Sequence, residues 1–392
     1  MTDRSSKPHH RAESDATPRQ RFLSAVDRHP AGGVSLDLGY GIASYTAGAH
    51  ESLCRELGIE DPSEDISARM LNIVYPDPRI RACCCGDLRF VAPGAATHGQ
   101  GDVDLDTETY RDEWNLTRRL SAGGLYYDFI DPPLGACASL EECLRVLRVP
   151  QGCRARVRGM REQANQYREQ GYAVGAWCFA GIFEMVFWLR GYRQAYLDFG
   201  ERPALVEGLM DALLEVQLEF WQAILDEMDD LLDVALLTED LGTQTSLMIS
   251  PTRFRESVKP RIGELIRAIM DDSPETRVLL HSDGAVFPLI GDFIDMGVDI
   301  LNPIQPGATG MEPRRIKAEF GHDLSFHGGI DIQSVLRCER PPSLRASIHQ
   351  IIDILGRGGG YVVAPAHCVQ PDVPPRNVLA MIDAVRELTQ YP

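Results

Sequence analysis

Between residues 172 and 363 the chain alternates short apolar runs with helical stretches, and nearly every run ends in a polar side chain. Strand-length runs lie at 172–179, 234–237, 278–280, 298–301, 324–326 and 360–363. Helical stretches lie between them at 184–228, 251–270, 286–296, 312–320 and 343–355. Such alternation with short connections requires parallel strands joined by right-handed crossovers. Two architectures satisfy it, an open doubly wound sheet and a closed barrel. An open sheet gathers its function at one switch point, whereas a barrel brings all its strand ends to one mouth. Here Glu239, His281, Asn302 with Gln305, His327 and His367 all close strands. The predicted fold is therefore α/β, a (β/α)8 TIM barrel with N-terminal helical additions. Gly356-Arg-Gly-Gly-Gly360 precedes a strand instead of following one, so it is a loop and helix stop, not a phosphate cradle.

Upstream the pattern is less regular. Residues 1–18 are polar, lack the apolar middle of a signal peptide and read as a disordered tail, leaving 19–392 as a single barrel domain. A short helix is expected at 20–27, a first strand at 33–39 and a helical pattern over 49–73. Residues 79–133 mix short strands, turns and Asp-rich loops and read as an insertion or an N-terminal elaboration. Later, Ser250-Pro251 pairs a serine cap with proline at the first helical position.

Composition narrows the function classes. The net charge of -18, from 39 Lys+Arg against 57 Asp+Glu, comes without a compensating basic block, which argues against a nucleic-acid partner. No apolar stretch reaches the roughly 18–20 residues that span a bilayer. The ten cysteines are scattered and form no C-x-x-C pair, as suits reduced thiols in a cytoplasm. Cys83, Cys84 and Cys85 form one block without a partner block and read as small packed side chains.

Three apolar runs carry the chemistry: Val234-Ala-Leu-Leu-Thr-Glu239-Asp240, Val278-Leu-Leu-His281-Ser-Asp283-Gly284 and Tyr361-Val-Val-Ala-Pro-Ala-His367-Cys368. On an extended segment His281 and Asp283 project to the same side, and Gly284 permits a sharp exit of the backbone. Two histidines with one or two carboxylates and an open position form the donor set of a catalytic zinc site. The expected ligands are His281, Asp283, His367 and Glu239, with Cys368 a further candidate. The same residues could equally form a hydrogen-bonded cluster without metal. Of the neighbours Glu239 and Asp240, one is expected to face the pocket and the other to cap a helix or bind backbone amides. Gln244, Asn302, Gln305 and His327 are expected to hydrogen-bond a polar substrate. Trp177, Phe183, Phe187 and Trp188 offer an aromatic wall, at least half of which should be core.

These motifs occur in a familiar series: Thr238-Glu-Asp-Leu-Gly-Thr-Gln244, Ile249-Ser-Pro251 with Lys259-Pro-Arg261, His281-Ser-Asp-Gly284, Val298-Asp-Ile-Leu-Asn-Pro-Ile-Gln-Pro306, Phe326-His-Gly-Gly-Ile-Asp331 and Gly359-Gly-Tyr-Val-Val-Ala-Pro-Ala-His367. Together they resemble the uroporphyrinogen decarboxylase superfamily, especially its cobalamin-dependent methyltransferase-like branch. The resemblance runs over roughly 20–390 and implies a (β/α)8 barrel. It divides the function. Metal-free decarboxylases of the superfamily carry Arg-Gln-Ala-Gly-Arg-Tyr after the first strand to hold substrate carboxylates. Here that segment is Gly39-Tyr-Gly-Ile-Ala-Ser-Tyr45, without arginine. The methyltransferase branch binds Zn²⁺ through His-x-Cys and a later Cys. This chain keeps the histidine at His281, with Asp283 and His367 standing where the two thiolates would be.

The resemblance with that substitution implies a methyltransferase moving a methyl group between a corrinoid carried by a partner protein and a small acceptor. Tetrahydrofolate suits the harder ligand set better than a thiol. In this scheme Glu239 is a ligand or proton acceptor, and a homodimer is possible. The rivals are a carboxy-lyase acting on a porphyrinogen or smaller acid with His367 as proton donor, and a non-catalytic barrel that captures a corrinoid or tetrapyrrole.

Overall fold

The computed structural model describes residues 16–29, 33–63, 65–94, 103–338 and 340–389. Residues 1–15 of the expected tail lie outside this range. Eight strands make one sheet: β1 (Ser35–Leu36), β2 (Leu88–Val91), β3 (Ala173–Ala176), β4 (Val234–Thr238), β5 (Arg277–His281), β6 (Ile300–Ile304), β7 (Ser325–Ile330) and β8 (Tyr361–Pro365). Their spatial order is β1-β8-β7-β6-β5-β4-β3-β2, and the neighbouring pairs are parallel. The two edges meet through the Asp87 amide, which donates to the Leu36 carbonyl at 2.7 Å. The sheet is thus a nearly closed barrel with helices outside it, as the alternation predicts.

The strands are near-continuous apolar runs because both of their faces are covered. Val234, Ala235, Val278, Leu279, Leu280, Ile300 and Leu301 are all fully buried. Helix α3 (Pro203–Met228) shows how the outer layer is held. Leu205, Leu209, Leu213, Val216, Phe220, Ile224 and Met228 recur every three or four residues and are buried, so one stripe faces the core. Each such side chain contributes about 1.5–3 kcal/mol on burial.

Helix α1 (Pro18–Val26) closes the end of the barrel where the strands begin. Arg19 pairs with Asp233 ahead of β4 at 2.9 Å, Asp27 with Arg277 of β5 at 2.9 Å, and the Val26 carbonyl accepts from the Ser325 hydroxyl of β7 at 2.7 Å. With that end plugged, substrate access is left to the opposite end, where the polar strand termini lie.

Two expectations fail upstream. The helical pattern over 49–73 is helix only at Ala47–Glu56, followed by an antiparallel hairpin, Ile66–Ala68 with Ile73–Val74. Gly58 and Pro62 stop the helix, and apolar residues beyond them happened to keep helical spacing. The region 79–133 is not wholly an insertion, since it contains β2. Arg89 disguised this strand: it is buried, with its guanidinium over Tyr172 at 3.7 Å and Tyr40 at 4.6 Å and its Nη1 donating to the Gly86 carbonyl at 2.7 Å. The region also holds a helix, Pro78–Cys84, and a three-stranded antiparallel sheet, Thr109–Arg111, Thr117–Leu120 and Tyr127–Asp131. Among the described residues no helix is long and apolar enough to cross a membrane.

Candidate active site

At the open end, His281, Asp283 and His367 each offer a ligand atom, and these atoms lie within 4.8 Å of one another. His281 ends β5, and its Nε2 stands 4.0 Å from Asp283 Oδ1. Asp283 Oδ2 stands 3.9 Å from His367 Nε2, which arrives from beyond β8. The backbone turns sharply at Gly284, where φ is +87° and a Cβ would collide with the Thr243 carbonyl, so no other residue fits this bend without strain.

Glu239 does not join them. Its Oε1 accepts from the amide of Ile182 at 2.6 Å, and its Oε2 from Phe183 at 2.9 Å and Glu184 at 3.3 Å. These are the unpaired donors of helix α2 (Ile182–Arg190), where a carboxylate also meets the positive end of the helix dipole. A Cβ on Gly181 would overlap the Glu239 carboxyl and the Thr238 carbonyl, so glycine is what lets the helix start this close. Burial pushes the Glu239 carboxyl up, to about 8, against the pull of the amides. Because both oxygens accept N–H, the geometry holds the carboxylate.

The pocket-facing acid is its neighbour, Asp240, whose Oδ1 is 3.8 Å from His281 Nε2. Burial, and then the charge of Asp283, raise the Asp240 carboxyl. A second acid unforeseen in the sequence is Glu184, which lines the same pocket. Burial, with Asp240 and Glu239 adding to it, drives Glu184 well above the ordinary carboxylate range. Burial disfavours the charged form of His367, but Cys368, Asp283 and Asp240 outweigh it and push the group up to about 10. The local signal for Glu184 was its position just beyond a strand end, in Gly181-Ile-Phe-Glu184, inside a stretch read only as helix.

The expected substrate-binding residues stand behind the donors. β7 continues to Ile330 and β6 to Ile304, so His327 and Asn302 lie below the rim and are buried. The strands thus run three to four residues past the apolar ends at 301 and 326, which takes both residues out of the mouth. Asn302 Oδ1 is 2.6 Å from His281 Nδ1, Asn302 Nδ2 is 2.5 Å from His327 Nδ1, and His327 Nε2 is 2.9 Å from Asp37 Oδ2. Gln305 donates to Asp283 Oδ1 at 2.9 Å while its own oxygen accepts from the Gly284 amide at 2.8 Å, and Gln244 donates to that oxygen at 3.4 Å. Cys368 is buried and donates its S–H to the Ile42 carbonyl at 3.3 Å, while also hydrogen-bonding the adjacent His367.

The inner pocket measures about 100 Å³ and has Glu184, Asp240, His281 and His367 on its walls, with no lysine or arginine among the described residues that line it. Gly41 and Ile42, from the segment after β1, also face it. An outer cleft of about 440 Å³ adjoins it and shares Trp177, Phe179 and Trp188. Phe183 and Phe187 are core instead. The three-stranded sheet supports this wall: Arg118 lies over the Trp188 ring at 4.7 Å and is held by Asp112 at 2.7 Å. Such a site combines a small, acid-lined pocket with an aromatic approach.

Among known proteins, a uroporphyrinogen decarboxylase from Methylococcus capsulatus is 33% identical over 220 residues, covering 56% of this chain and 59% of that protein. Another from Flavobacterium johnsoniae is 27% identical over 143 residues, 36% of this chain and 39% of the relative. The chain thus spans three fifths or less of the length of these relatives. A solved methyltransferase from Methanosarcina mazei superposes with a TM-score of 0.65 at 17% identity, covering 95% of this chain and 99% of the other, which extends the likeness in fold to nearly the whole chain. The uroporphyrinogen decarboxylase (URO-D) family itself matches residues 170–388. Since that match takes in more than half of the sequence and every strand from β3 to β8, the chain belongs to the uroporphyrinogen decarboxylase family.

Proposed function

We propose that the chain is a methyltransferase of this family, moving a methyl group between a corrinoid on a partner protein and a small nitrogen or oxygen acceptor such as tetrahydrofolate. The observation that carries the reading is the convergence of His281, Asp283 and His367 beside a carboxylate-lined pocket. Two imidazoles and a carboxylate fit Zn²⁺ and leave a coordination position open. Gln305 and Asn302 hydrogen-bond Asp283 and His281 from behind, as supports for metal ligands do. A bound metal would supply Lewis acidity to the acceptor atom. The chain's own groups do the rest. Asp240 takes the proton released as the acceptor forms its new bond, Glu184 in its protonated form donates a hydrogen bond within the pocket, and Trp177, Phe179 and Trp188 hold a flat acceptor and keep water out. The inner pocket is far too small for a corrinoid, which would meet the acceptor from the outer cleft.

Metal analysis of the purified protein together with demethylation of methylcobalamin in the presence of tetrahydrofolate or a thiol tests this reading. Bound zinc and folate-dependent demethylation are expected. Absence of metal together with no demethylation by either acceptor overturns it. A second reading, a carboxy-lyase, is favoured by one observation: Glu184 and His367 line the same inner pocket, where burial favours the protonated form of Glu184, as proton delivery to a carbanion requires. The arginine-free inner pocket points to a smaller acid than an octacarboxylate porphyrinogen. Release of CO₂ from small carboxylic acids without any demethylation would select it.

A further inference from the structure

Three side chains behind the metal donors, Asp37, His327 and Asn302, form one continuous hydrogen-bonded chain through the barrel interior that ends on the donor His281. Asp37 and His327 are 0% exposed, Asn302 2% and His281 7%, so bulk water cannot reset its polarity. Among the described residues Asp37 Oδ1 has no hydrogen-bond partner, and Oδ2 reaches His327.

The polarity follows from donor and acceptor inventory. Asn302 turns its NH₂ toward His327 Nδ1, and an amide nitrogen can only donate, so the His327 hydrogen sits on Nε2 and is donated to Asp37 Oδ2 at 2.9 Å. The same amide turns its oxygen to His281, and His281 Nδ1 must carry the proton. The lone pair of His281 is thereby placed on Nε2, the atom facing Asp240 and Asp283. Reverse the polarity and Nε2 bears hydrogen instead, useless to a cation. The intrinsic preference between imidazole tautomers is set by such a bond on the other nitrogen.

We propose that Asp37 is a positioning residue for the metal site, acting through His327 and Asn302 to hold His281 as the Nδ1–H tautomer. This rests on the metal reading above. Replacing Asp37 by asparagine lets the chain run either way, because the new amide can donate to His327 Nε2. Second-shell losses of this kind weaken metal binding about 10- to 100-fold.

Zinc titration of the protein by calorimetry and ¹⁵N-histidine spectra of the metal-free protein test it together. In the wild type His281 should show a protonated Nδ1 and a bare Nε2. D37N should mix or reverse the tautomers and raise the zinc Kd by about 10- to 100-fold. In an N302D background the carboxylate at position 302 accepts from His281 whatever stands at 37, so adding D37N should change Kd within about 2-fold. H327Q, whose amide can donate to Asp37 and accept from Asn302, should keep the wild-type tautomer, and it serves if D37N does not fold. An unchanged tautomer and Kd in D37N, or equal losses in both backgrounds, overturns the proposal. A wild type that binds no zinc refutes the metal reading, and the tautomer spectra then still decide the role of Asp37.

Discussion

Glu239→Gln separates a helix-capping carboxylate from a metal-binding one. The substitution keeps the side chain's shape and removes its charge. Of the three amide bonds at 2.6, 2.9 and 3.3 Å, the glutamine oxygen can keep those on one side. Its NH₂ must face the remaining amide donor of α2, leaving that donor unsatisfied. Hydrogen bonds to charged groups contribute about 1.5–3 kcal/mol each, and loss of the charge at the helix N-terminus adds about 0.3–1 kcal/mol. Relief from burying a charge offsets part of this, so the net destabilisation expected is about 1–3 kcal/mol. With an unfolding entropy of about 2.1 cal/mol/K per residue over 392 residues, the melting midpoint should fall by about 1–4 °C. The assay is a thermal melt of metal-free protein paired with a zinc titration. Zinc affinity should hold to within about 2-fold, because Glu239 spends both oxygens on amides. An unchanged midpoint with zinc binding weakened more than about 10-fold would refute the capping argument and restore Glu239 as a ligand.

Three further outcomes follow. His281→Ala and His367→Ala should each abolish stoichiometric zinc binding, whereas Cys368→Ala should retain it, as metal analysis after dialysis would show. Glu184→Gln should change the pH dependence of stability. With its folded-state affinity for a proton raised, the wild-type protein loses stability as pH rises from the ordinary carboxylate range toward the folded-state value, and the neutral variant does not. Urea unfolding at pH 5 and pH 8 should show the variant gaining relative to wild type at the higher pH, and an equal difference at both would refute the assignment. Leu209→Ala, in the buried stripe of α3, should cost about 2–5 kcal/mol by denaturant unfolding while leaving zinc affinity unchanged.

What was legible in the sequence follows from local periodicity. Apolar runs alternating with helical stripes dictate parallel strands around a core, and a period of two puts His281 and Asp283 on one side whatever the tertiary structure does. The same period dictates that Glu239 and Asp240 diverge. It does not say which faces in, because that depends on where the amides of α2 arrive from a segment more than fifty residues earlier. Strand length decided the fate of Asn302 and His327: apolar pattern fades at Pro303 and Gly328, yet neighbouring strands supply hydrogen bonds that carry β6 and β7 onward and draw both side chains beneath the rim. The pairing of His327 with Asp37 spans 290 residues and exists because closing the barrel seats β1 beside β8, one strand away from β7. The sequence by itself therefore determined the architecture and which residue types crowd its mouth. Only the tertiary structure decided which of them face the pocket and which stand behind, since that choice is made by partners that folding brings from far along the chain.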